Sequence, residues 1–149
     1  MGKISVEYVN SRKSVMPIWC VECDQVVEAE LTRGEFVYPR RPDLAEITLW
    51  QCPTCKNSVG THHNSIDPLK PLGVISNKEM RQMKVEIHNL LDPIWKRGIM
   101  SRNRVYKHIS DELGVQYHTG EIRTIEEAEH VRSIVRRLIS NLRSLGYEV

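Results

Sequence analysis

The sequence contains no run of 18 apolar residues, so it offers no stretch able to span a bilayer. Its first residues, MGKISVEYVNSRKSV, lack the apolar core of a secretory signal. Gly2 follows Met1, but Val6 stands where a myristoylation pattern wants Ser or Thr. These absences lead us to expect a soluble, cytoplasmic protein with no membrane partner. Also missing are a P-loop, a G-x-G-x-x-G turn, a Ser–His–acid arrangement, internal repeats and low-complexity tracts. Most enzyme classes therefore have no support, and no catalytic residue is assigned. What remains is 149 residues that are 40% apolar and 27% charged, too apolar for disorder and enough for one domain or two very small ones.

An excess of one charge is missing too, because the formal net charge is only +2. Its distribution is more informative. Residues 1–77 carry eight basic and nine acidic side chains, whereas residues 78–149 carry thirteen and ten. Between Lys96 and Lys107 stand Lys96, Arg97, Arg102, Arg104 and Lys107 with no acid among them. That segment is the one strongly polarised stretch of a nearly neutral chain.

All four cysteines fall into two C-x-x-C pairs, Cys20/Cys23 and Cys52/Cys55, within WCVECDQ and QCPTCKN. Two residues between thiolates allow a tight turn to aim both sulfurs at one point while backbone N–H groups donate to them. Two such turns supply the four soft ligands of one tetrahedral Zn²⁺. With every position filled by protein, the metal is structural. Three other uses of the pairs are weaker. Disulfides need an oxidising compartment, a redox C-x-x-C explains one pair and not two, and iron–sulfur sites use other spacings. The 28 residues between Cys23 and Cys52 exceed the usual gap, so the intervening hairpin must be decorated.

Within that gap, Gln25 to Leu31 reads as a strand, Arg33-Gly34 as a turn and Glu35 to Tyr38 as a returning strand. Pro39 to Asp43 reads as a Pro-broken loop, and Glu46 to Gln51 as the strand feeding the second cysteine pair. Ser58 to His62 leaves it as another. Trp19 and Trp50, beside the cysteines, are expected to be partly buried against the helices that follow.

Beyond Pro71-Leu72-Gly73 the hydrophobic period changes from two to about 3.6. Ser76 with Glu79 opens a helix carrying Met80, Met83, Ile87, Leu90 and Leu91 on one face, which Asp92-Pro93 should end. Ser101 caps a second helix, with Val105, Ile109 and Leu113 inward and Gly114 as its stop. The string SRNRVYKHISDELGV resembles the first helix of many helix-turn-helix units. Thr124 and Glu127 cap the last helix, whose stripe is Ala128, Val131, Val135, Leu138, Leu142 and Leu145. Glu126, Glu127 and Glu129 precede Arg132, Arg136, Arg137 and Arg143, an order that suits the helix dipole and intrahelical i,i+4 pairs. The expected fold class is therefore α+β. An N-terminal extension (1–15) leads into a zinc β-ribbon (16–75), and a helical region of three to four helices (76–149) is packed on or beside it.

These pieces, taken in order, resemble a known family. They are CVEC at 20–23, GEFVYPRRPDL at 34–44, LWQCPTC at 49–55, VGTH at 59–62, PLG at 71–73 and MRQMKVEIHNLLDPIW at 80–95. The chain resembles the small zinc-finger-containing domain found mostly in bacteriophages and prophages, for which no activity is assigned. The resemblance implies a phage origin, hence the cytoplasm of a host cell, and reinforces the zinc site. It also singles out Arg41, Asp43, His62, Arg81, His88 and Asp92. A polar site built from His62, Arg81, His88 and Asp92 is one expectation, and a structural His88 bonded to Asp92 is the plainer one.

Three functions follow. The leading one is nucleic-acid binding, to DNA or RNA, through Arg40, Arg41, Lys96, Arg97, Arg102, Arg104 and Lys107, with Trp95 and Tyr106 near enough to stack on bases. The second is a protein-binding module that inhibits or redirects a host factor, including a defence system. The weakest is a metal-dependent nuclease using His62-His63-Asn64 and His88, whose spacing lacks the required opening strand. The stripe of the last helix additionally offers a homodimer face.

Overall fold

The computed structural model describes residues 15–149, so all but the last residue of the expected N-terminal extension lies outside the described residues. The chain divides after Asn77 into two compact units. Among the described residues, no helix is long and apolar enough to cross a membrane.

The first unit is a four-stranded antiparallel sheet in the order β1-β2-β3-β4, from β1 (Val15–Cys20), β2 (Gln25–Arg33), β3 (Thr48–Gln51) and β4 (Ser58–Gly60). Its register pairs Ile18 with Val27, Met16 with Ala29, Leu31 with Trp50 and Trp50 with Val59. Because side chains alternate across a strand, this register collects one set of apolar residues on a single face. That face carries Ile18, Cys20, Ala29, Trp50 and Cys52, and it is closed by Leu69 and Ile75. Both closing residues come from the segment after β4, which crosses back to β1. The N–H of Ile75 donates to Trp19 and its carbonyl accepts from Val21. The indole N–H of Trp50 donates to the Leu69 carbonyl at 2.7 Å, which lets a fully enclosed indole keep its bond. Trp50 thus finds its burial inside the ribbon's own core, where the sequence suggested the helices.

The returning strand expected over Glu35 to Tyr38 does not form. The chain instead makes one helical turn, α1 (Gly34–Val37), followed by a 3₁₀ turn over Pro42–Leu44. The reason is local crowding. Gly34 is buried against the next loop, and a Cβ there would meet the Leu44 carbonyl oxygen at 1.7 Å. The N–H groups of Gly34 and Glu35 are taken by Ile47 and Ala45, so the strand ladder cannot continue past Arg33. The sequence there, with three β-favouring residues in a row at Phe36, Val37 and Tyr38, mimics a strand.

The second unit contains α2 (Lys78–Lys96), α3 (Arg102–Leu113) and α4 (Ile125–Ser144). Helix α2 begins one residue later than a Ser76 cap would place it and, against expectation, runs through Pro93. Proline there forgoes one backbone bond, at a cost of about 3 kcal/mol in a helix interior. The stripe of Met80, Met83, Ile87, Leu91 and Ile94 is buried throughout, and ending the helix at Asp92 would take Ile94 off it. Termination comes four residues later, near Gly98 at φ 70°. Helix α3 starts at the expected cap, with the Ser101 hydroxyl accepting from the Arg104 N–H, and stops at Gly114 at φ 76°. Thr124 caps α4 by accepting from the Glu127 N–H, and the Glu127 carboxylate accepts from the N–H of Arg123. The α4 stripe is buried within the single chain except for Leu145, which is 75% exposed.

The arginines of α4 do not form the intrahelical pairs the sequence suggested. Arg132 and Arg136 both grip Glu86 of α2 at 3.0 Å, and Arg137 reaches Glu112 of α3 at 3.7 Å. Two further groups of this unit are half-buried or buried. Burial lowers the Lys84 ammonium from 10.5 to about 8, against the opposing pull of Glu121. Burial raises the Tyr117 phenol from 10.0 to about 12, against its bond to Thr119.

Replacing Gly34 by Ala should destabilise the zinc-loaded ribbon by about 1–3 kcal/mol, because neither the Leu44 carbonyl nor the turn can yield. Urea titrations of the two proteins check this; equal midpoints would contradict it. Stability should also vary with pH in opposite senses. Between pH 8 and 10.5 the unfolded chain holds the Lys84 proton that the folded one sheds, so stability rises. Between pH 10 and 12 the folded chain holds the Tyr117 proton that the unfolded one sheds, so stability falls. Urea unfolding followed by circular dichroism should therefore show the rise disappear in Lys84→Met and the fall disappear in Tyr117→Phe.

Candidate metal centre

Both cysteine pairs stand on turns at one end of the sheet. The first links β1 to β2 and the second links β3 to β4. The turns are alike in construction. Each second cysteine is followed by a residue in the left-handed region, Asp24 at φ 52° and Lys56 at φ 66°. That conformation is costly for a side-chain-bearing residue, and it is what turns the backbone N–H groups back toward the sulfurs. The N–H of Cys23 bonds the Cys20 sulfur, and the N–H groups of Thr54 and Cys55 bond that of Cys52.

The four sulfurs lie within 4.8 Å of one another, with Cys20 to Cys55 at 3.5 Å and Cys23 to Cys52 at 3.7 Å. All four are free thiols. Ligands arranged tetrahedrally about 2.3 Å from an ion stand about 3.8 Å apart along each edge. The spacing therefore suits a single Zn²⁺, and no fifth donor is needed. Cys20 and Cys52 are wholly buried and Cys23 and Cys55 partly so. Asn57 adds a donor, its amide reaching the Cys55 sulfur at 3.3 Å. Such outer bonds orient the sulfurs and spread their negative charge.

The thiols differ in how readily they lose a proton. Burial pushes Cys20 far up, with the Cys23 N–H opposing it, and burial also raises Cys23. Burial would raise Cys52 as well, but the N–H groups of Cys55 and Thr54 and the neighbouring thiols bring it down to about 7. Since every ligand must be deprotonated, affinity falls as the solution is acidified.

The other residues marked by the sequence fall in both units. Arg40 is exposed, and its side chain has no partner among the described residues. Arg41 is held by Asp43 in a bidentate pair at 2.9 and 2.8 Å. His62 belongs to the first unit, whereas Arg81, His88 and Asp92 lie on α2 of the second. Asp92 pairs with Lys96 at 3.7 Å, and among the described residues His88 makes no hydrogen bond to it. Arg97 donates to the Glu148 carbonyl, and Lys107 pairs with Asp111 at 3.0 Å. The guanidinium of Arg102 lies 5.5 Å from the Trp95 ring and 5.3 Å from that of Tyr106. Those aromatic faces are therefore occupied within the chain. Arg104 is exposed, and its side chain has no partner among the described residues. Also among the described residues, no second group of three or more His, Cys, Asp or Glu side chains converges closely enough to hold a metal. Sequence reading overlooked Asn57, whose only signal is its place two residues after Cys55.

A family model described as a zinc-finger-containing domain matches residues 16–141. No curated protein and no solved structure gives a significant match to the chain. Replacing Cys52 by Ser should lower the zinc content well below one per chain and abolish the ribbon's cooperative unfolding. Metal analysis of protein purified without chelators checks this, and a variant that retains a full equivalent of zinc would contradict the four-sulfur site.

Proposed function

We propose, from the premise that the chain belongs to the family of zinc-finger-containing domains, that it is a nucleic-acid-binding zinc-ribbon protein. Its main phosphate contacts come from the turn between α2 and α3. The observation that carries this reading is the bare cationic start of α3. Its first turn contains no acid, its N-cap is Ser101, and Arg104 projects from it unpaired among the described residues. A helix start offers unsatisfied N–H groups and the positive end of the dipole, both suited to a phosphate oxygen. Lys96 closes α2, Arg97 follows it, and Arg102 reaches back to Trp95, so the basic residues gather about the Gly98 turn.

The ion pairs of Lys96 and Lys107 do not argue against this. Exposed i,i+4 pairs are worth about 0.3–0.5 kcal/mol, so a phosphate readily displaces the carboxylate. With Trp95 and Tyr106 covered by Arg102, contact at this turn is to the backbone and not to bases, and so is indifferent to sequence. The reducing cytoplasm of a phage-infected cell suits four thiols reserved for Zn²⁺ and belongs to the same proposal.

The combined change Arg104→Ala and Lys107→Ala should weaken binding equally for all duplex sequences. It should lower the slope of log affinity against log salt by roughly two. Fluorescence anisotropy on duplex DNA and RNA between low and moderate salt measures it, with circular dichroism to confirm the fold. A parent protein that binds neither polymer would overturn the reading in favour of a host-protein partner.

A further inference from the structure

The sheet has a second end, away from the cysteines. Strand β2 leaves the cysteine turn at Gln25 and reaches Arg33 at the end of its nine residues, a span of roughly 25–30 Å at the rise of an extended strand. The loop joining Arg33 to Thr48 therefore stands at the end of the ribbon away from the metal. It is long for a hairpin connection and carries a helical turn and a 3₁₀ turn of its own.

This loop is built rigidly. Backbone bonds run from Tyr38 to Gly34, from Arg41 to Tyr38, from Leu44 to Arg41 and from Ala45 to Pro42. Pro39 and Pro42 restrict φ, and Gly34 is clamped on the Leu44 carbonyl. What it presents is unusual. The chain's one phenylalanine, Phe36, is 72% exposed, and Tyr38 two residues on is 39% exposed. Of the loop's two arginines, Arg40 and Arg41, one is paired within it. Arg33 pairs with Glu35 and Arg41 with Asp43, while Arg40 has no partner among the described residues.

We infer that loop 34–47 is a platform for single-stranded nucleic acid, with Phe36 and Tyr38 stacking on unpaired bases and Arg40 contacting the adjacent phosphate. This rests on the nucleic-acid reading above and adds to it the class of substrate. Exposed rings offer a face that any base can stack on but that a closed duplex cannot use, since its bases are already stacked. A single unpaired cation beside two rings matches one phosphate per stacked step. The rigid loop arrives with its rings already displayed, so little ordering entropy opposes binding. The α3 turn, by contrast, offers cations without free rings and does not discriminate between single strand and duplex.

The test uses the full zinc-loaded chain with fluorescein-labelled oligothymidylate and oligouridylate of 20 nucleotides, and a duplex of equal length. The parent should prefer the single strands. Phe36→Ala combined with Tyr38→Ala should weaken single-strand binding roughly tenfold or more, while leaving duplex binding and the salt slope unchanged. Arg40→Ala should lower the single-strand salt slope by roughly 0.7. Phe36→Trp should keep the affinity, and its added emission should be quenched by the oligonucleotide, which guards against a loop that merely misfolds. Unchanged single-strand affinity in the double Ala variant overturns the platform, as a loop made for a protein partner would. If Arg104→Ala with Lys107→Ala still weakens binding in that case, the proposed function stands without it. A parent that binds no oligonucleotide overturns both.

Discussion

Four sulfurs from two turns, 28 residues apart in sequence, have to meet within 4.8 Å, and the ribbon is arranged around that requirement. The sheet between the turns is four strands wide, one of them three residues long, and its enclosed side chains are few. A core of this size buries too little apolar surface to offset the chain entropy by itself. Metal binding at the sulfurs supplies what is missing, because the unfolded chain has no preformed site. The same demand explains two residues in left-handed backbone, Asp24 and Lys56, where glycine would be easier. Those turns keep the N–H groups aimed at sulfur.

Once the cysteine end is pinned, the register follows along the whole sheet. Val27, Ala29, Leu31 and Trp50 fall on the metal's side, and the chain after β4 folds across them through Leu69 and Ile75. The far end is then free of the metal's constraint. It is held instead by backbone bonds and by the contact of Gly34 with Leu44, and it carries the rings and the cation that the core does not need.

The helical unit obeys a different rule. Its three helices bury continuous apolar stripes, and burial is strong enough to carry α2 through Pro93. Charge is used between helices: Glu86 receives two arginines from α4, and Arg102 covers Trp95 and Tyr106. Among the described residues, the Arg104 side chain at the start of α3 has no such partner.

Read alone, the sequence determined whatever depends on short spacing. The two C-x-x-C turns, the zinc they imply, the caps at Ser101 and Thr124 and the switch from a two-residue to a 3.6-residue period were all legible, since each rests on contacts within a few residues. Tertiary structure decided whatever depends on crowding and on partners distant in the chain. Whether Glu35 to Tyr38 is strand or turn depends on Leu44 and Ile47. Whether α2 stops at Pro93 depends on the burial of Ile94. Whether the arginines of α4 pair along their own helix or across to Glu86 depends on which carboxylate another helix brings near. Local pattern cannot report those neighbours, because a side chain carries the same propensity whatever the fold later sets against it.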